Sequence, residues 1–233
     1  MGRAVAAACL LTLLASACDA GGTRHADVPP GELVHFTTDD GVELAGELRG
    51  SGPTGVILAH MFPTDRTSWA PLAEELAERG STTLAFDFRG YGDSQGSRSI
   101  PDIWRDVLAA MAFLRERGND RIVLIGASMG GTASLVAAAR EEVQAVVTLS
   151  AASTFMGLLA PPEALRAIDE PKLFIAAQGD GSAAATAQQF YADSPPPKRV
   201  EIVNGDEHGT ELLQTGQAEV VRTLILSFVD QHG

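Results

Sequence analysis

The chain has 233 residues, 45% of them hydrophobic and 20% charged, without a long low-complexity run, so it can bury one sizeable core and one domain is expected. Its 17 basic and 30 acidic residues give a formal net charge of −13, with Lys and Arg scattered along the chain, which argues against nucleic acid as a partner. An acidic excess of this kind is ordinarily solvated surface. In chain order, Met1 to Arg3 supplies a positive start and Ala4 to Ala17 is apolar apart from Thr12 and Ser16. That run is too short for a stable bilayer span and has the layout of an export signal. A buried hydrophobic helix is the alternative, but no helix start signal precedes it and a Gly-rich, Pro-containing stretch follows.

Both cysteines, Cys9 and Cys18, lie in or at the edge of this segment, which excludes a disulfide within the mature domain. Leu14-Ala15-Ser16-Ala17-Cys18 resembles a bacterial lipoprotein signal, departing from it in that Ala15 stands where Leu is usual, with Leu14 one step further back. The resemblance implies a signal peptide over residues 1–17, lipidation of Cys18 as the first mature residue, and an anchor and flexible tether over 18–31. The partner would then be a membrane, held through the lipid on its extracytoplasmic face. Plain secretion, with cleavage after Ala17 or Ala20, stays open. Myristoylation of Gly2 is disfavoured by Ala6, where Ser or Thr is needed.

Residues 32–233 alternate strand-like and helix-like segments. Val34–Thr38 and Val42–Leu48 flank the turn residues Asp39-Asp40-Gly41 as a hairpin. Short apolar runs follow at Gly55–Ala59, Thr82–Phe86, Arg121–Ile125, Val143–Leu149, Lys172–Ala177 and Arg199–Val203. Separated by helical stretches or loops, they predict a parallel sheet buried on both faces. Helices are expected at Ser68–Arg79, Ile103–Arg117, Thr132–Arg140 and from about Glu211 to Val229. The sum is a three-layer α/β architecture, mostly parallel, with an N-terminal antiparallel hairpin.

Gly126-Ala127-Ser128-Met129-Gly130-Gly131 follows an apolar strand and precedes a helix-prone run. A serine at such a sharp turn has its hydroxyl exposed, and the helix amides behind it favour developing negative charge. With this turn, Ile57-Leu58-Ala59-His60-Met61-Phe62-Pro63 and Asp87-Phe88-Arg89-Gly90-Tyr91-Gly92-Asp93-Ser94, the chain resembles the α/β-hydrolase fold over nearly all of residues 32–233. It looks most like the compact, lidless enzymes of the dienelactone hydrolase and serine aminopeptidase neighbourhood. The resemblance implies Ser128 as nucleophile and the backbone amide of Met129 as one oxyanion donor. His60-Met61 replaces the usual His-Gly, so Phe62 is the first choice for the second donor and Met61 the other; the Met61 side chain is expected to narrow the site or change which amide faces substrate. Asp87 and Arg89 read as loop residues without a catalytic role, and His60 as a loop-stabilising hydrogen-bonding residue.

Serine needs a base to take its proton. Of 5 histidines only His208 and His232 follow Ser128, as the family's order of serine, acid, histidine requires. His232 is penultimate, on an end expected to fray, and His208 lies in the turn after the last strand, where the resemblance places the base. Asp180, after Lys172–Gly179, stands where it places the acid. Asp206 and Glu207 read as solvated carboxylates. No cofactor motif or metal-ligand spacing is present, so no cofactor is expected. The residues between Leu149 and Lys172 leave room for at most a small helix or two over the site, hence no large cap domain and a pocket open to small or exposed esters. Hydrolysis of an ester or related small acyl compound through a Ser128 acyl-enzyme is the expectation; a peptidase or amidase on the same triad, and an anchored binding protein without turnover, are the alternatives.

Overall fold

The structure, a computed structural model, describes residues 1, 2 and 31–233; the expected signal segment, Cys18 and the tether up to residue 30 lie outside the described residues. An antiparallel pair, β1 (Glu32–Thr37) and β2 (Glu43–Arg49), opens the domain. Then come β3 (Thr54–Ala59), α1 (Ala70–Glu78), β4 (Ser81–Phe86), α2 (Ile103–Glu116), β5 (Arg121–Ala127), α3 (Met129–Ala138) and β6 (Ala145–Leu149). A two-residue-stranded hairpin, β7 (Thr154–Phe155) and β8 (Leu158–Leu159), leads through α4 (Pro162–Arg166) to β9 (Lys172–Ala177), α5 (Ala183–Asp193), β10 (Lys198–Val203) and α6 (Ala218–His232).

Eight strands form one sheet in the order β1-β2-β4-β3-β5-β6-β9-β10. β1 and β2 are antiparallel to their neighbours, and all pairings from β4 to β10 are parallel. The central strands are apolar on both sides because both sides are covered. In β5, Ile122 and Leu124 enter one core while Val123, Ile125 and Ala127 enter the other. The first core lies under α2, α3, α4 and α5, the second under α1 and α6. All residues of α3 are buried, and its two hydroxyls, on Thr132 and Ser134, donate to the carbonyls of Ala152 and Gly130, as polar groups in an enclosed helix must.

The boundaries differ from the sequence expectation where local signals compete. The helix behind Ser128 begins at Met129, not Thr132, because the small residues Gly130 and Gly131 pack inside its first turn. The stretch expected as one helix from Glu211 splits into a 3-10 turn over Gly209–Leu213 and α6, with Gly216 in the break. α6 runs on through His232, whose ring lies 4.6 Å from that of Phe228, so this end is docked and does not fray. α5 was hidden by weak contrast: it buries Ala183, Ala187 and Phe190 at helical spacing, but two of those are small. Over the segment after β6, one short helix is joined by a hairpin in place of a second helix.

The first turn of α3 packs tightly against the end of β3 at Gly130. A Cβ there would stand 2.2 Å from the carbonyl oxygen of Ala59 and 2.5 Å from that of His60, both of them backbone. Gly130→Ala is therefore expected to cost about 2 kcal/mol or more through overpacking. Urea unfolding would report it as a lower midpoint at an unchanged m-value.

Candidate active site

The parallel strands stop together. Ala59 is in register with Gly126, Gly126 with Thr148, Leu149 with Ile175, and Ala177 with Val203. The loops carrying Met61 and Phe62, Ser128, Asp180 and His208 therefore leave from one edge of the sheet, at the carboxyl ends of neighbouring strands.

Ser128 caps the N-terminus of α3 at φ 48° and ψ −117°, a conformation that a side-chain-bearing residue adopts only when its surroundings impose it. Its N–H donates to Leu149 O at 2.8 Å and its carbonyl accepts from Thr132 N at 3.0 Å, which ties the turn to β6 and to the helix. Among the described residues, neither the Ser128 hydroxyl nor the amide of Met129 has a hydrogen-bond partner, and no bond joins Ser128 to His208. The Met129 amide is one of the donors that a helix start leaves without an internal acceptor.

Asp180 and His208 come from loops sewn together by backbone bonds, Gln178 N to Val203 O and Gly179 N to Gly205 O, both 2.8 Å. The His208 Nδ1 lies 2.9 Å from each Asp180 oxygen. A carboxylate accepts there, so Nδ1 of a neutral imidazole carries the proton and Nε2 is left as the basic nitrogen. The backbone N–H of His208 donates to Glu211 at 3.3 Å, a support visible in the sequence only as an acid three residues on. Asp206 and Glu207 are not bonded to the ring; Asp206 N donates to the Glu207 carboxylate.

Gly209 shows that the loops converge. At φ 58°, it sits so that a Cβ would meet Met61 Sδ at 2.5 Å and the Ala127 Cβ at 3.4 Å. The residue after His208 thus touches the residue before Ser128 and the residue before Phe62. The Met61 side chain is 6% exposed and packed in the second core beneath the His208 loop. It lies against Gly209, between the His208 loop and the Ser128 turn, with little of it reaching solvent. The reason is the turn: the chain reverses at Met61, sending this side chain down and leaving Phe62 43% exposed.

The Met61 carbonyl accepts from Thr64 N at 3.0 Å, Thr64 Oγ1 at 2.9 Å and His60 Nδ1 at 2.9 Å. Across a trans peptide, the Phe62 N–H points the opposite way from that carbonyl, and it has no partner among the described residues. His60 is fully buried, and its Nε2 accepts from the backbone amide of Phe88 at 3.1 Å. The two bonds fix the Nδ1–H tautomer, and burial pushes the His60 pKa below the ordinary 6.5 against the opposing pull of the Met61 carbonyl and Asp87. It is a neutral clamp between two loops, as expected.

The loop after β4 is held in the same way. Asp87, wholly buried, accepts from Arg66 N at 2.8 Å and Asp93 N at 2.9 Å and pairs with the Arg66 guanidinium. Arg89 bonds Asp106 through Nε at 2.8 Å and Asp40 through Nη1 at 2.7 Å. Burial lifts Asp106 to about 6 against those bonds, while Arg89 holds Asp40 well below the usual carboxylate range. Asp87 and Arg89 are accordingly structural. Their partners Arg66, Asp106 and Asp40 carry no motif and could not be paired from spacing alone.

A model described as alpha/beta hydrolase fold matches residues 55–168. The esterase Pf2001 of Pyrococcus furiosus superposes with a TM-score of 0.75 at 20% identity, covering 86% of this chain and 92% of that one. The chain has the α/β-hydrolase fold. A dienelactone hydrolase from Anabaena variabilis shares it with a TM-score of 0.74 at 22% identity, over 88% of this chain and 99% of its own. By sequence, the chain is 26% identical over 229 residues to the uncharacterized protein YfhR of Escherichia coli O157:H7, which spans 85% of this chain and 80% of the relative. This α/β-hydrolase domain has no large cap: between β6 and β9 stand only the small hairpin and α4.

The state of His60 gives a pH test. Its native pKa is depressed, so the unfolded chain takes up the proton first, and stability present above pH 6.5 is lost as pH falls from there through the native value. In His60→Gln, this part of the pH dependence of the urea midpoint is expected to disappear, with a lower midpoint throughout.

Proposed function

We propose that this domain is a serine hydrolase that cleaves a carboxylic ester, or a related small acyl compound, through an acyl-enzyme on Ser128. The observation that carries the reading is the Asp180–His208 pair, 2.9 Å from each carboxylate oxygen, on a loop packed directly against the Ser128 turn through Gly209. The esterase and dienelactone hydrolase that share the fold are consistent with it.

In this reading, Ser128 Oγ attacks the ester carbonyl as His208 Nε2 takes its proton, and Asp180 holds the ring and balances the imidazolium. The tetrahedral oxyanion faces the amides of Met129 and Phe62, both without protein acceptors among the described residues. His208 then returns the proton to the departing alkoxide, and water repeats the sequence to free the acid. Catalytic hydrogen bonds of this kind often close only with substrate in place, which is compatible with the unbonded Ser128 hydroxyl. The same reading keeps Phe62, and not Met61, as the second donor, on the direction of its N–H. It also puts the enzyme outside the cytoplasm, tethered by a lipid on Cys18; support for this is the N-terminal sequence alone.

Ser128→Ala and His208→Ala are each expected to lower kcat on a short-chain nitrophenyl ester at least about a thousandfold, and Asp180→Asn about a hundredfold or more, with melting temperatures close to wild type. Activity near wild type in Ser128→Ala would sink the assignment. A fluorophosphonate probe should label the wild type at Ser128 only. In cells given labelled palmitate, the wild type should take up label and Cys18→Ser should not; equal labelling of the two would exclude the anchor.

A further inference from the structure

Large apolar side chains are seldom left in water as a group, and here several gather at one place. Of the exposed ones among the described residues, Leu33, Tyr191 and Val220 stand on separate elements, whereas Met156 and Leu159 share the β7–β8 hairpin with Phe155, whose ring lies beside that of exposed Phe62. The Phe62 and Phe155 rings are 6.1 Å apart, and the Phe62 ring stands edge-on to the buried Tyr91 at 6.5 Å. Phe155 and Met156 belong to the β7–β8 hairpin, which is anchored by buried Leu158 and by Gly157 lying close to Pro101. The hairpin thus sets Phe155 beside Phe62 and leaves Met156, in its turn, exposed.

The hairpin and the His208 loop rest on opposite faces of the sheet. Phe155, Leu158 and Tyr91 belong to the core under α2 and α3, while Met61 and Leu212, on which the His208 loop rests, belong to the core under α1 and α6. Ser128 ends β5 between the two. An ester bound there has two arms. The alcohol arm must lie toward His208, because that imidazole gives the departing alkoxide its proton. The acyl arm then extends to the other face.

We propose that Phe62, Phe155 and Met156 form the acyl-chain site of this enzyme, and that its substrates are esters of apolar acids with the alcohol left toward solvent and His208. The inference rests on the proposed Ser128 chemistry and adds its polarity.

Two isomeric esters test it, ethyl hexanoate and hexyl acetate, which have equal composition and differ only in which arm is long. Each methylene that becomes buried can raise kcat/KM by up to about fourfold. The full-length enzyme is expected to prefer ethyl hexanoate by about tenfold or more. Met156→Ser should reduce that ratio several-fold, through a loss of kcat/KM for ethyl hexanoate larger than that for hexyl acetate. Leu159→Ser, exposed on the other side of the same hairpin, should leave the ratio as it is. A ratio near one, or a preference for hexyl acetate, with ethyl acetate still hydrolysed, would overturn the acyl site and leave the Ser128 assignment standing; the patch would then be a surface for something larger, such as a bilayer. No turnover of any of the esters together with no fluorophosphonate labelling of Ser128 would overturn both.

Discussion

Gly130 lets the first turn of α3 lie directly against the carbonyls of Ala59 and His60, and the edge of the sheet is organised around that approach. A helix start cannot come so close to a strand end through any side chain. Ser128, directly before that turn, is held at φ 48° where the strand passes into the helix. Gly209 repeats the device from the other side, bringing the His208 loop against Met61 and Ala127. Two contacts that exclude a Cβ thus set the spacing of three loops.

Electrostatics fixes what packing brings near. His60 is neutral by burial and spans the Met61 carbonyl and the Phe88 amide, so the loop after β3 cannot turn without breaking both bonds. The Arg66–Asp87 and Arg89–Asp106 pairs bind the neighbouring loop below it. Buried pairs of this kind return little net stability once desolvation is counted, but removing one partner is costly. Their effect is to select one arrangement of the loops.

The two faces of the sheet carry different loops. One core lies beneath the His208 loop, through Met61 and Leu212; the other lies beneath the aromatic group around Phe155 and Tyr91. Between β6 and β9 stand the hairpin and α4 alone, so no large cap is inserted there.

By itself, the sequence determined the layering, the antiparallel hairpin at the start, and the candidates Ser128, Asp180 and His208, because each rests on a local signal: alternation of apolar runs, a Gly-x-Ser-x-Gly turn between strand and helix, polar residues directly after strands. Local signals fade where packing decides. α5 was illegible because Ala183 and Ala187 make a faint stripe, and the break before α6 because Gly216 acts together with the use of Glu211 by His208. That the Met61 side chain packs into the core beneath the His208 loop is likewise not readable from its place in the motif. Which carboxylate meets which guanidinium, which way the Phe62 amide points, and which face of the sheet carries the apolar rim depend on residues far apart in the chain. Contacts between such residues exist only after the strands have been ordered, so only the tertiary structure decided them.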